Sequence, residues 1–313
     1  MLGISVIICC YNSSKKISET LFHLKHQNVN NVPWEVIIVD NNSNDDTVSK
    51  CLAFWEDNSI NFSIVSEERI GLVYAREKGV KTARYDYLIF CDDDNWLDQF
   101  YLRVVYDLFT KNPLIGAIGG QSIPVFEDSI NIPEWFEMEK NSYAVGKQAL
   151  FTGDITYRYF LWGAGLAVRK KIAEKCFDLH TPFLLTGRSE VKVMAGDDSE
   201  LCHRIILLGY RLYYDDRLKF RHYIPNDRLS SEYLIKLKEG FSKTYNILSL
   251  YSEYINIVIF NKNSMVKNFK EIFIDHKVNL KKLLRTIYWI YGVSIYVNNN
   301  MRLIRRFYLK NVY

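Results

Sequence analysis

Several common features are missing from this chain, and each absence closes off a class of function. No two of its six cysteines form a C-x-x-C pair: Cys9, Cys10, Cys51, Cys91, Cys176 and Cys202 are scattered, three of them inside apolar strand-like runs. That pattern excludes a disulfide framework and a zinc knuckle, and predicts reduced core thiols in a cytoplasmic protein. Long hydrophobic runs are also scarce. The most apolar stretch of the C-terminal region, Leu283 to Val297, is 15 residues long and contains Arg285, too short and too charged to span a bilayer. Met1 to Cys10 is apolar, but it has neither a basic leader nor a small-residue cleavage site, so it reads as a first strand rather than a signal peptide. There is no internal repeat, no low-complexity linker and no recognised DNA- or RNA-binding module, which argues against a nucleic-acid partner.

What is present supports a globular protein of one large domain or two, since 48% of the 313 residues are hydrophobic and 15% aromatic, enough for a sizeable core. Charge is lopsided. Residues 261 to 313 hold 11 Lys and Arg against 2 Asp and Glu, while residues 1 to 260 hold 29 against 34, so the net +4 divides into +9 for the tail and −5 for the body. A basic, aromatic, partly helical tail can lie on an anionic membrane surface. An ordinary helical subdomain with solvated Lys and Arg fits the same composition.

Up to about residue 125, short apolar strands alternate with helical patterns: Ile4 to Cys10, a helix with Ile17, Leu21 and Leu24 on one face, Glu35 to Val39, and a helix near Asp46 to Trp55. A strand near Phe62 to Val65, a helix from Gly71 to about Ala83, the strand ending at Asp92 and a helix from Leu97 to Phe109 follow. This order predicts an α/β fold with a Rossmann-like, mostly parallel sheet.

Carboxylates collect at the ends of these strands. Tyr87 to Cys91 runs straight into Asp92, Asp93 and Asp94, and Trp34 to Val39 runs into Asp40. Crowded like charges at the rim of an apolar core need a cation among them, and a divalent metal is the simplest. Two apart on extended backbone, Asp92 and Asp94 would share one hard ion while Asp93 points away. The plainer reading is an acidic turn capping a helix near Trp96. Because ligand crevices in open α/β sheets lie beyond the carboxyl ends of the strands, Asp40 and Asp92 should face one cleft.

From Ile115 to about Phe183 the chain reads as irregular and aromatic, suited to walling a ligand site, with Gly163 and Gly165 permitting close backbone approach before a strand. Asp197 and Asp198 open an amphipathic helix carrying Leu201, Ile205 and Leu208. They are good first-turn acids, or one caps while the other points into the cleft as a general base. Strand-like Arg211 to Tyr214 and Leu218 to Tyr223 follow. His222 is either a satisfied structural histidine or a ligand of the same metal, and Arg228 either a diphosphate clamp or a surface arginine.

Taken in order, Ser5 to Asn12, Val39 to Ser43, Ala75 to Gly79, Asp92 to Asp94 and Gly196 to Leu201 resemble the family 2 glycosyltransferases of GT-A fold over residues 4 to about 223. The resemblance implies transfer of a hexosyl or N-acetylhexosaminyl group from a nucleotide-diphosphate donor, foremost a UDP-sugar, to a hydroxyl with inversion. By the same likeness Tyr11, Asp40 and Arg76 contact the nucleoside, and beside them Asp92, Asp93 and Arg228 are the further donor-site candidates. Asp92 and Asp94 hold Mg2+ or Mn2+ by that likeness and Asp198 is the base, while His222 joins the metal candidates only through its place after a strand. The chain departs from the family pattern at Cys9, usually Pro, at Glu77, usually Asn, and at Asp197, usually Glu. The implied partners are a nucleotide sugar and a glycan or lipid-linked acceptor in cell-surface polysaccharide or glycolipid synthesis, either in the cytoplasm or peripheral at the cytoplasmic face of the membrane.

The implied division is a glycosyltransferase domain at 1–225, with a donor half at 1–125 and an acceptor half at 126–225, followed by a basic, mostly helical extension at 226–313. Two other functions compete. A sugar-phosphate nucleotidyltransferase would also gather metal-bound phosphates, but Tyr11 to Lys16 lacks the glycine-rich loop such enzymes carry after the first strand. A non-catalytic nucleotide-sugar scaffold would have no use for a base at Asp198.

Overall fold

Alternation along the first strands dictates the layering. In β1 (Ile4–Cys10), Ile7 faces one apolar cluster while Val6, Ile8 and Cys10 face another. In β2 (Trp34–Asp40), Ile37 and Val39 oppose Val36 and Ile38 in the same way. Strands buried on both faces need helices on both faces. The computed structural model, which describes residues 1–56, 60–127, 131–178, 181–187, 195–260 and 301–311, has that arrangement.

The remaining strands are β3 (Asn61–Ser66), β4 (Tyr87–Asp92), β5 (Asn95–Leu97), β6 (Ile115–Phe126), β7 (Gly153–Asp154), β8 (Leu166–Arg169) and β9 (Arg211–Ile224). They form one sheet in the order β3-β2-β1-β4-β8-β6-β9-β5, with β7 on β9. The block β3-β2-β1-β4 is parallel. Beyond it β8 runs antiparallel to both neighbours, and β6 and β9 pair in parallel.

The helices are α1 (Ile17–Lys25), α2 (Thr47–Trp55), α3 (Leu72–Thr82), α4 (Tyr101–Lys111), α5 (Phe136–Glu139), α6 (Lys170–Cys176), α7 (Asp197–Leu207) and α8 (Ser231–Val258). Residues 301–311 are also helical. Ile17, Leu21 and Leu24 of α1, spaced four and three apart, pack with Val105 and Phe109 of α4 on one side of the sheet. Val73 and Val80 of α3, Ile205 of α7, and Ile255 of α8 cover the other, joined by Ile304 and Phe307.

Four sequence expectations are revised. The helix read from Leu97 is displaced by β5, whose Asn95, Trp96 and Leu97 pair with His222, Arg221 and Phe220, and α4 starts only at Tyr101. The chain turns at Asp93 and Asp94, so Asp92 and Asp94 are not two positions on one extended strand. The segment read as irregular contains the 12-residue β6. Arg211 to Tyr214 and Leu218 to Tyr223 belong to a single strand, β9, with register shifts against β6. Most of the basic tail, including Leu283 to Val297, lies outside the described residues, and among those described no helix is long and apolar enough to cross a membrane.

Candidate active site

The parallel strands β1, β2 and β4 end side by side. Cys10 pairs with Asp40 and Cys9 with Asp92, so both acids stand at one sheet edge, on either side of β1. Beyond that edge opens a cavity of about 1620 Å³, lined by Arg76, Asp92, Asp93, Asp94, Asp197 and Asp198, and also by His222 and Arg228. Eight of the ten residues singled out from the sequence for chemistry therefore meet in one place. Tyr11 and Asp40 stay on the adjoining rim, outside the lining. There the loops after β1 and β2 are stapled together, Asn12 Oδ1 accepting from the Asn44 N–H (2.9 Å) and the Ser13 N–H donating to Thr47 Oγ1 (2.7 Å).

Each acid of the triplet meets a cation supplied by the protein. Arg76 Nη2 lies 3.9 Å from Asp92, Lys16 Nζ 2.8 Å from Asp93, and Arg228 Nη1 3.1 Å from Asp94, with Lys16 also 3.6 Å from Asp94. Asp93 does not point away from this network, because it also accepts from the Ser13 hydroxyl. Burial disfavours the charge on Lys16, but Asp93 and Asp94 outweigh it and the pKa is raised. The like-charge crowding that suggested a metal is thus already relieved by side chains. Sequence reasoning missed Lys16. Its signal was the Lys15-Lys16 pair after the first strand, passed over because no glycine accompanied it.

The metal candidates divide. Pairing of β5 with β9 sets Asn95 opposite His222, which brings His222 Nε2 to 3.7 Å from Asp94 Oδ1. Asp92 lines the same cavity beside Arg76. Among the described residues no group of three or more His, Cys, Asp or Glu side chains is arranged to hold a metal ion. The donor set is therefore one imidazole and one carboxylate, with a second carboxylate on the same wall. That combination suits Mn2+ or Mg2+ only if other oxygen ligands complete the shell.

The acid pair at the start of α7 is sorted by its neighbours. Asp197 accepts from Arg76 Nη1 at 2.6 Å, and both side chains are buried. Burial works against the Arg76 charge, yet Asp197, then Asp92 and Asp198, more than offset it, and its pKa is raised. Arg76 is thus bound to carboxylates of the cavity wall that it also lines. Asp198 is held differently, accepting from the Gly163 N–H at 2.8 Å and the Ser199 N–H at 2.7 Å. Among the described residues no cation lies within ion-pairing distance of it, and it remains partly exposed to the cavity. Gly163 is required here, since a Cβ would come within 2.6 Å of Arg76 Nη2 and 3.1 Å of the Asp198 Cβ. Gly196, at φ 102°, makes the left-handed turn that starts α7 and points both acids toward the sheet edge.

Cys9, where the family usually has Pro, also lines the cavity, but burial pushes its thiol up to about 12, so it fills space and is no nucleophile.

The fold is that of GT-A glycosyltransferases. The solved structure of Staphylococcus aureus TarS 1-349 in complex with UDP-GlcNAc matches with a TM-score of 0.55 at 16% identity, over 99% of this chain and 89% of that one. The mannosyltransferase PcManGT from Pyrobaculum calidifontis, in complex with GDP-Man and Mn2+, matches with a TM-score of 0.52 at 15% identity, over 99% and 87%. The model of glycosyl transferase family 2 covers residues 5–177, and the chain belongs to that family. A relative within it is the poly-beta-1,6-N-acetyl-D-glucosamine synthase of Staphylococcus aureus, 32% identical over 121 residues. The alignment takes in 38% of this chain and 28% of the synthase, so the chain spans little more than a quarter of the curated relatives it matches.

Proposed function

We propose that this protein is an inverting glycosyltransferase that moves a sugar of hexosyl or N-acetylhexosaminyl type from a UDP-sugar to a hydroxyl on a cell-surface glycan or glycolipid. The observation that carries the reading is the sorting of Asp197 from Asp198. Arg76 neutralises the first, while the second faces the cavity held only by N–H and hydroxyl donors of Gly163 and Ser199. A carboxylate oriented in this way can accept the proton of an attacking hydroxyl, and inversion needs one base, not two. The names of the similar proteins support the substrate classes: a polymer of N-acetylglucosamine for the synthase, UDP-GlcNAc for TarS.

Charge at the other end of the donor is handled by the triplet and its cations. Arg228 and Lys16, fixed beside Asp94 and Asp93, bring positive charge to the place where a diphosphate would depart. Asp94 and His222, with Asp92, would hold Mg2+ or Mn2+, which when bound would neutralise the leaving diphosphate without proton transfer. Tyr11 and Asp40, on the adjoining rim, are the candidates for the nucleoside. Arg76 sets the orientation of the acids and is a positioning residue.

The Asp198→Asn variant is the direct test. Transfer should fall by at least ~100-fold, the usual contribution of a general base, while UDP still raises the thermal midpoint in the presence of Mn2+ as it does for wild type. Full turnover by this variant would remove Asp198 as the base.

A further inference from the structure

The cavity holds more room than a nucleotide sugar needs, and part of its wall has no task in the reaction above. Ligand sites usually run to roughly 300–1,000 Å³, against about 1620 Å³ here. Much of the rest of the lining comes from α8, where Phe241, Tyr245, Leu248 and Ser252 recur at helical spacing, and from Tyr159, Phe160 and Trp162. In this wall stands Arg158, at the end of the short 3-10 turn Thr156–Arg158, its guanidinium 4.8 Å above the Phe160 ring.

Arg158 differs from Arg76 and Arg228 of the cavity wall and from Lys16 beside it. Arg76, Lys16 and Arg228 each face a carboxylate. Around Arg158 the one titratable side chain exerting an influence is the Tyr157 phenol, and burial, the larger influence, lowers its pKa. Among the described residues no carboxylate comes within ion-pairing reach of it. Glu253 of α8 lines the same cavity without pairing to it, and Lys147 adds a second cation. A half-buried guanidinium without a carboxylate loses part of its hydration, and the Phe160 ring offsets only part of that loss, so an arriving anion would be favoured there.

We propose that Arg158 is the anion-recognition residue of the acceptor site, and that the acceptor is a saccharide bearing a phosphate ester or a carboxylate. Its charged group lies on the planar fork of Arg158, and its sugar rings lie along the aromatic wall of Tyr159, Phe160 and Trp162. This rests on the glycosyl-transfer reading of the cavity and adds to it the chemical class of the second substrate.

The test uses the full chain saturated with UDP, so that the diphosphate position is occupied, and calorimetric titration with glucose 6-phosphate, glucuronate and methyl glucoside. At least one anionic sugar should bind about tenfold tighter than the neutral glycoside, the scale of one charge-assisted contact. The ranking of phosphate against carboxylate identifies the source of the charge. Arg158→Gln should reduce the anionic sugars to the level of methyl glucoside, and Arg158→Lys should restore part of the difference, with UDP affinity unchanged in both. Equal binding of all three sugars by wild type, no binding of either anionic sugar, or unaltered binding by Arg158→Gln overturns the inference while UDP binding stands. A wild-type chain that binds no UDP overturns the reading on which it rests.

Discussion

Arg76 shows how one buried side chain can decide the role of its neighbours. It is 4% exposed, bonded to Asp197 and within 3.9 Å of Asp92, so removing it strands a buried carboxylate. We expect Arg76→Ala to destabilise the fold by about 3–5 kcal/mol, the cost of breaking a buried ion pair from one side, as read from urea midpoints at constant slope. A loss below about 1 kcal/mol would mean that water reaches Asp197 and that the pair is no anchor. The acids themselves were legible in the sequence, because each ends an apolar run or opens an amphipathic helix. The choice between Asp197 and Asp198 was not. It depends on an arginine 121 positions away and on a backbone N–H, neither of which leaves a local pattern. Lys16 had a local trace in the Lys15-Lys16 pair, but its role rests on Asp93 and Asp94, far along the chain.

At the scale of elements, the parallel strands and α1 to α3 follow from apolar periodicity, and their bounds in the structure fall close to those read. β5 and β6 did not follow. Asp94 and Asn95 before Trp96 look like a helix start, but pairing of Asn95 to Leu97 with β9 satisfies three residues of backbone and wins. Gly119 and Gly120 interrupt β6 as a loop would. Their neighbours leave no room for a side chain: a Cβ on Gly120 would lie 2.0 Å from the Leu218 carbonyl oxygen of β9, and one on Gly119 would lie 2.6 Å from Leu161 Cδ2.

α7 carries the acids at one end and His203 in its interior, stacked on Tyr159 and hydrogen-bonded to Ser199 and Ser252. Burial lowers the His203 pKa to about 4, against a small opposing effect of the Ser199 bond. The imidazole is neutral when folded, whereas the unfolded chain takes up a proton near pH 6.5. Stability from this residue is therefore complete above about pH 6.5 and drains away as the pH falls toward 4, by roughly 3 kcal/mol in all. Chemical denaturation of wild type and His203→Gln across that window should show a shallower pH dependence in the variant. Parallel curves would assign the acid sensitivity to other groups.

Across the whole molecule, α7 is clamped from behind. Glu200 accepts from the Leu184 and Leu185 N–H groups and from the Tyr251 hydroxyl, and pairs with Arg204 at 2.8 Å. Arg204 in turn donates to the carbonyls of Cys176, Thr181 and Pro182 and lies between the rings of Phe183 and Phe307. Residues 301–311 thus steady the helix that bears Asp197 and Asp198. Phe307→Ala should cost about 3–5 kcal/mol by opening a cavity in this packing, and thermal unfolding measured with and without UDP would detect it in both states. A variant as stable as wild type would show that 301–311 merely rests on the core.

β9 runs from beside the turn leading to Arg158 to the imidazole near Asp94, with an irregularity against β6 between Tyr214 and Lys219. The part of the cavity wall near Arg158 and the part near Asp94 are therefore joined through one strand of the sheet. Enzymes with hinges accommodate longer or shorter partners by closing to different degrees. With the two parts of the wall sharing one strand, a change of reach between them is expected to come from side chains on the wall or from the irregularity between Tyr214 and Lys219.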